Sequence, residues 1–148
     1  MQIAVVGKEE CTEEEYGAAR VAGALIAGNH AILCCGGRGG VMEAASRGAR
    51  EAGGTTVGIL PDRGRGNPYL DVVVRTGMGY GRNVILVESA DAVVAIGGGC
   101  GTLSEIAIAL KSGKRVFGYL TWGIEGVEGC ATPEEAVTRA VAAARRSG

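Results

Sequence analysis

The stretch from Asp91 to Glu105 constrains the fold more than any other part of the chain. Asp91-Ala-Val-Val-Ala-Ile96 is a short apolar run rich in β-branched residues. That is the pattern of a strand buried on both faces in a parallel sheet. Gly97, Gly98 and Gly99 follow, with a fourth glycine at Gly101, and apolar residues then recur with helical spacing at Leu103, Ile106, Ala107 and Leu110. Strand, glycine turn and helix in that order aim free backbone N–H groups and the positive end of a helix dipole at one point. Glycine permits the positive φ and the close backbone approach that such a turn needs. The stretch therefore predicts a phosphate cradle made by Gly98, Gly99, Gly101 and Thr102.

The same alternation runs through the rest of the chain. Strands are expected at Ile3–Val6, Ala31–Cys35, Thr55–Leu60, Val72–Val74 and Val116–Tyr119. The glycine clusters at Gly7, Gly36–Gly40 and Gly77–Gly81 fall at strand-to-helix turns, as the first one does. Thr12 with Glu15 fits a capping box that opens a helix ending at Gly28-Asn29. A second helix, about Val41 to Ala52, has a packing face of small residues, and a third runs from about Tyr80 to Ser89. Thr102 as N-cap with Glu105 at N3 reads as a capping box for the helix after the glycine turn. Thr132-Pro133-Glu134-Glu135 starts the last helix. Pro61–Pro68 and Trp122–Gly129 read as loops, the former expected to be mobile. Strands alternating with helices predict a single α/β domain over residues 1–148. It is a three-layer sandwich with a mostly parallel sheet of about six or seven strands. Right-handed crossovers put the post-strand loops on one edge, where ligands bind at the switch point of the strand order.

Composition narrows the function. A net charge of −1 gives no overall field for nucleic acid or an anionic membrane. No apolar run approaches a membrane span, and Met1 to Val6 reads as a first strand rather than a leader, so a cytoplasmic location is expected. The five cysteines show no CxxC or Cys/His spacing and are expected as reduced, small apolar residues, with Cys100 set apart by its place in the glycine turn. His30 is the one histidine, so a His-based triad or multi-His metal site is excluded and no metal is expected. The P-loop, a GxGxxG after the first strand, a GxSxG elbow and HExxH are all absent. Val84-Ile85-Leu86-Val87 is apolar on every side of its helix, which predicts burial in a homo-oligomer, a dimer or tetramer.

Gly97 to Glu105 resembles the PGGxGTxxE signature of the LOG ("lonely guy") family, Rossmann-like proteins once labelled lysine decarboxylases. Gly36-Gly37-Arg38-Gly39-Gly40-Val41-Met42 looks like the family's earlier GGGxxGLM loop. Arg82, preceded by Gly79-Tyr80-Gly81, sits where the family has the arginine of MHxRK. Order and spacing agree from about Ile3 to Tyr119. The resemblance implies a Rossmann-like nucleotide-binding domain. Members of that family hydrolyse the N-glycosidic bond of nucleoside 5′-monophosphates to base and ribose 5-phosphate. Molybdenum-cofactor carrier proteins and a group of short proteins share the fold and the glycine loop, and this chain looks closer to them. On the hydrolase reading Glu105 and Arg82 are catalytic, with Glu105 stabilising oxocarbenium character at the sugar. Gly36, Gly37, Arg38, Gly40 and Asn83 then join the phosphate-binding set. On the carrier reading no cofactor is required and the ligand is a nucleotide or a molybdopterin-type molecule. Gly97 stands at the signature proline, Tyr80 at the histidine and Asn83 at the lysine of MHxRK. These departures touch the catalytic carry-over more than the phosphate-binding one.

Overall fold

A computed structural model describes every residue from Met1 to Gly148. The strands are β1 (Gln2–Val6), β2 (Ile32–Cys35), β3 (Thr56–Leu60), β4 (Val72–Arg75), β5 (Ala92–Ile96), β6 (Val116–Tyr119) and β7 (Val127–Gly129). The helices are α1 (Glu13–Gly28), α2 (Val41–Glu51), α3 (Arg82–Ser89), α4 (Cys100–Lys111) and α5 (Pro133–Ser147). All seven strands are parallel, in the order β4-β3-β2-β1-β5-β6-β7. This is the expected Rossmann-like α/β sandwich. No helix is long and apolar enough to cross a membrane.

Side-chain alternation along the strands builds two cores. Ile3, Val5, Leu33, Cys35, Ala92, Val94, Ile96 and Phe117 face α1, α2 and α5. Ala4, Val6, Cys34, Ile59, Val93, Ala95 and Val116 face α3 and α4. Cys34 and Cys35 thus point to opposite faces, and all five cysteines are free thiols. Burial pushes the Cys34 thiol up to about 12 and raises Cys35 as well, so both behave as small apolar groups.

Three local expectations are corrected. α4 begins at Cys100 with Gly99 as N-cap, so Thr102 is at N3 and Glu105 lies a turn further in. Glycines at 97 to 99 let the chain enter the helix early, and the Thr102 hydroxyl accepts from the Gly99 N–H (3.3 Å). At α1 only half the expected capping box forms. Thr12 Oγ1 accepts from the Glu15 N–H (3.1 Å), but the Glu15 carboxylate turns away toward Lys8. Residues 127–129, expected as loop, form the edge strand β7 beside β6. Its anchor is tertiary: Glu128 takes an ion pair from Arg115 and another from Arg139. The Pro61–Pro68 loop is tied to the first glycine loop through Asn67, whose N–H donates to Gly37 O (2.8 Å) and whose amide donates to Arg38 O (3.0 Å). Within α3, Leu86 and Val87 are fully buried while Val84 is 46% exposed.

α1 and α2 approach at two glycines. A Cβ on Gly23 would lie 1.9 Å from Ala45 O, and one on Gly48 would lie 1.9 Å from Arg20 O. Backbone cannot yield at those distances, so Gly23→Ala and Gly48→Ala are each expected to lower stability by about 2 kcal/mol or more in urea melts. Gly17, also in α1, faces open space. Gly17→Ala is therefore expected to raise stability, by up to about 1 kcal/mol, through helix propensity alone.

Candidate functional site in the cleft between β1 and β5

β1 leads into α1 on one face of the sheet, and β5 leads into α4 on the other. The crossovers also run to opposite sides, β1 toward β2 and β5 toward β6. Nothing covers the gap above the ends of β1 and β5, and this is where a doubly wound sheet takes its ligand. A cleft of about 270 Å3 opens there, with Gly7 and Lys8 on one wall and Gly99 to Thr102 on the other.

The α4 wall is a donor surface. Leu103 N–H is the first to reach a helical acceptor, Gly99 O at 2.9 Å. The N–H groups of Cys100, Gly101 and Thr102 therefore precede the helix's own hydrogen bonds, and no side chain caps them. A Cβ on Gly101 would meet nothing, so the approach to those amides is open. Gly98 lies one residue outside this cleft, against Trp122.

Arg82 and Glu105 face each other across the floor. Arg82 Nη1 donates to Gly36 O and to Ile59 O (3.0 Å), which clamps the guanidinium at the ends of β2 and β3. Its Nε–H is buried with no acceptor. Burial lowers the Arg82 pKa, and the facing Glu105 opposes that shift. Glu105 is only 6% exposed, and burial raises its carboxyl to about 7 against the pull of Arg82. Near neutrality a large fraction of Glu105 therefore carries a proton.

The other expected site residues divide. Arg38 lines the cleft, but its guanidinium sits between Glu9 (3.2 Å) and Asp62 (3.5 Å). Asn83 also lines it and donates to Ser104 Oγ (2.8 Å). Gly36 and Gly37 are buried beneath the cleft, their carbonyls taken by Arg82 and by Asn67 N–H. Gly40 packs on the backbone of Lys8 and Glu9, and Lys8 O accepts from Val41 N–H at the start of α2 (3.1 Å). The first glycine loop thus holds Arg82 and the neighbouring loops, and the second presents the free amides. Met42 and Tyr80 line the cleft as well, Tyr80 almost fully exposed. Both stand in the stretches that resemble the LOG motifs, although neither is assigned to the site from the sequence. Glu9 lacks a signature, because only the turn after β1 brings it beside Arg38.

A titratable carboxyl beside the donor wall makes anion affinity depend on pH. Sulfate keeps its charge between pH 5 and 9, so its binding is expected to weaken as pH rises through about 7 and Glu105 ionises. Glu105→Gln is expected to flatten that profile in calorimetric titrations. The same raised pKa works against folding. The folded chain holds a proton that the unfolded chain releases near 4.5, so stability falls as pH rises from about 4.5 to 7 and is level above. The loss amounts to at most about 3 kcal/mol, and Glu105→Gln is expected to remove it.

Comparison with known proteins places this geometry. An uncharacterised protein of Archaeoglobus fulgidus is 51% identical over 139 residues, which cover 93% of this chain and 92% of that protein. The molybdenum cofactor binding protein of the phototrophic bacterium Rippkaea orientalis is 37% identical, with a TM-score of 0.88 over 93% of each chain. The molybdenum cofactor carrier protein of Chlamydomonas reinhardtii is 35% identical, with a TM-score of 0.87 over 96% of this chain and 97% of that one. The model of the SLOG cluster4 family matches residues 1–145. That span takes in both glycine loops and every residue lining the cleft, and the chain belongs to the SLOG cluster4 family.

Proposed function

We propose that this chain binds and carries a phosphate-bearing organic molecule of the molybdopterin type in the cleft between β1 and β5. The observation that carries the reading is the donor wall at the start of α4, whose amides have no acceptor and open directly onto the cleft. Arg82, with a donor still unpaired, stands across from it. Likeness over nearly the whole chain to proteins that bind or carry the molybdenum cofactor supports a ligand of that kind. The phosphate is read by the α4 amides, Thr102 and Arg82, and protonated Glu105 removes the repulsion an ionised carboxylate would exert.

A second reading, a phosphoribohydrolase acting on nucleoside 5′-monophosphates, is favoured by one observation. Glu105 is a buried carboxyl titrating near 7 beside a clamped arginine, as a general acid or base requires. Incubation with AMP, CMP and a cytokinin riboside monophosphate separates the two. The carrier reading expects no free base by chromatography, together with thermal stabilisation by a phosphate ligand. Sustained base release that Glu105→Gln abolishes would replace it with the enzyme reading.

We also propose a homo-oligomer built on α3. Val84 is 46% exposed, and Met78, Tyr80 and Leu103 are exposed large apolar residues of the neighbouring segments. Sedimentation at micromolar concentration is expected to show a dimer or tetramer, and Val84→Asp to shift it toward monomer.

A further inference from the structure

Lys8 lines a second hollow beside the cleft, of about 260 Å3, whose other walls include Glu15, Gly97, Gly98, Thr121 and Trp122. Two polar groups there lack partners. Glu15 is 9% exposed, and its Oε2 is buried with no hydrogen-bond donor. Its Oε1 faces Lys8 Nζ at 3.8 Å, an ion-pair distance too long for a hydrogen bond. The Thr121 hydroxyl is likewise buried and unpaired. Leaving such groups without partners is costly, and native structures rarely do so without a reason.

The surrounding backbone is shaped to keep them there. A Cβ on Gly97 would come within 2.7 Å of the Glu15 carboxyl carbon, and Gly97 has φ +59, which no proline adopts. Glu15 thus occupies the space above the position where the LOG signature carries proline. A Cβ on Gly98 would lie 2.6 Å from the Trp122 ring, so the ring rests on bare backbone. Leu120 takes a left-handed φ of +56, uncommon for a leucine, as the chain turns from β6 to Thr121 and Trp122.

We infer that this hollow is the ring subsite of the ligand, and that it selects a planar heterocycle with a 2-amino-4-oxopyrimidine edge. Pterins and guanine share that edge. It offers an exocyclic amino group, an adjacent ring N–H and a carbonyl. A carboxylate is the matching pair of acceptors for the two donors and a hydroxyl donates to the carbonyl, with Glu15 and Thr121 turning their buried oxygens toward the ring as it enters. Trp122 supplies an aromatic surface for the ring. Adenine presents a ring-nitrogen acceptor where the carboxylate needs a donor, and hypoxanthine lacks the amino group. The inference rests on the proposed phosphate reading in one respect: the phosphate lies further along the same loop, at Gly99 to Thr102.

Trp122 is the sole tryptophan, so its fluorescence reports on this hollow directly. Guanosine, inosine and adenosine, their 5′-monophosphates, and pterin-6-carboxylate are titrated into the wild-type chain, Glu15→Gln and Thr121→Val, with calorimetry alongside. Guanosine and pterin-6-carboxylate are expected to bind roughly tenfold or more tighter than adenosine, with inosine between, as a bidentate pair discriminates. Glu15→Gln is expected to bring guanosine and adenosine within about threefold, while sulfate affinity does not fall, because Lys8 only loses a competing carboxylate. Equal binding of guanosine and adenosine by the wild type, or an undiminished guanine preference in Glu15→Gln, overturns the inference. Should Glu15→Gln fail to fold, the wild-type panel and Thr121→Val decide it. Loss of sulfate binding with the guanosine preference intact would sink the phosphate reading alone. Sulfate binding without any preference among the nucleosides would sink this one alone. Tighter binding of pterin-6-carboxylate than of guanosine identifies the pterin as the source.

Discussion

The opposite departures of the chain from β1 and β5 are the constraint on which the rest depends. A helix laid over one strand end normally shields its neighbour. Here α1 and α4 leave on different faces and toward different edges, so two strand ends stay bare. The residues of the candidate site gather at that opening. The glycine turn after β5 delivers the amides of α4 to it, and the turn after β1 delivers Lys8 and Glu9. Arg82 is reached from α3 only because the carbonyls of Gly36 and Ile59 clamp its guanidinium.

The charges around the opening are matched rather than simply basic. Lys8 faces Glu15, Arg38 faces Glu9 and Asp62, and Arg82 faces Glu105. An anion entering the cleft therefore competes with carboxylates already beside each cation. The exposed pairs at Arg38 are weak and solvent-screened, and they yield readily. Arg82 is clamped by two carbonyls and Glu105 is buried, so neither yields by moving, and protonation of Glu105 is the route by which that side of the cleft accommodates negative charge. On the proposed reading, affinity for a single phosphate is expected to be moderate, and discrimination falls to whatever the rest of the ligand touches. This agrees with the proposed carrier role, in which the ligand is also released.

Much of the fold was legible because its signals are local. Short β-branched runs ended by glycines marked six strands to within a residue or two, and the same glycines marked the ligand edge. The glycine turn at Gly97–Gly101 and the arginine at Arg82 were readable for the same reason. Where the reading departed from the structure, distant residues had decided the outcome. β7 is three residues long and exists beside β6 with its glutamate held by Arg115 and Arg139. The start of α4 moved because three successive glycines allow more than one entry into a helix. Glu15 looked like half of a capping box, and only the presence of Gly97 overhead, far along the chain, turns its carboxylate elsewhere. Trp122 sat unremarked in a glycine-rich loop. A solitary tryptophan just after a strand, on the edge where ligands bind, was the one signal that could have raised it.

The central place of β1 has a further consequence, for how the molecule comes into being. Residues 2–6 are made well before Ala92–Ile96, yet they complete the sheet only when Ala92–Ile96 pair along their free side. Until then the nascent half-domain carries an unpaired edge on an apolar strand. Non-local parallel pairing of this kind makes folding slow and leaves partly built chains prone to sticking to one another. The strand beside which the candidate site opens is thus also one that needs long protection during synthesis.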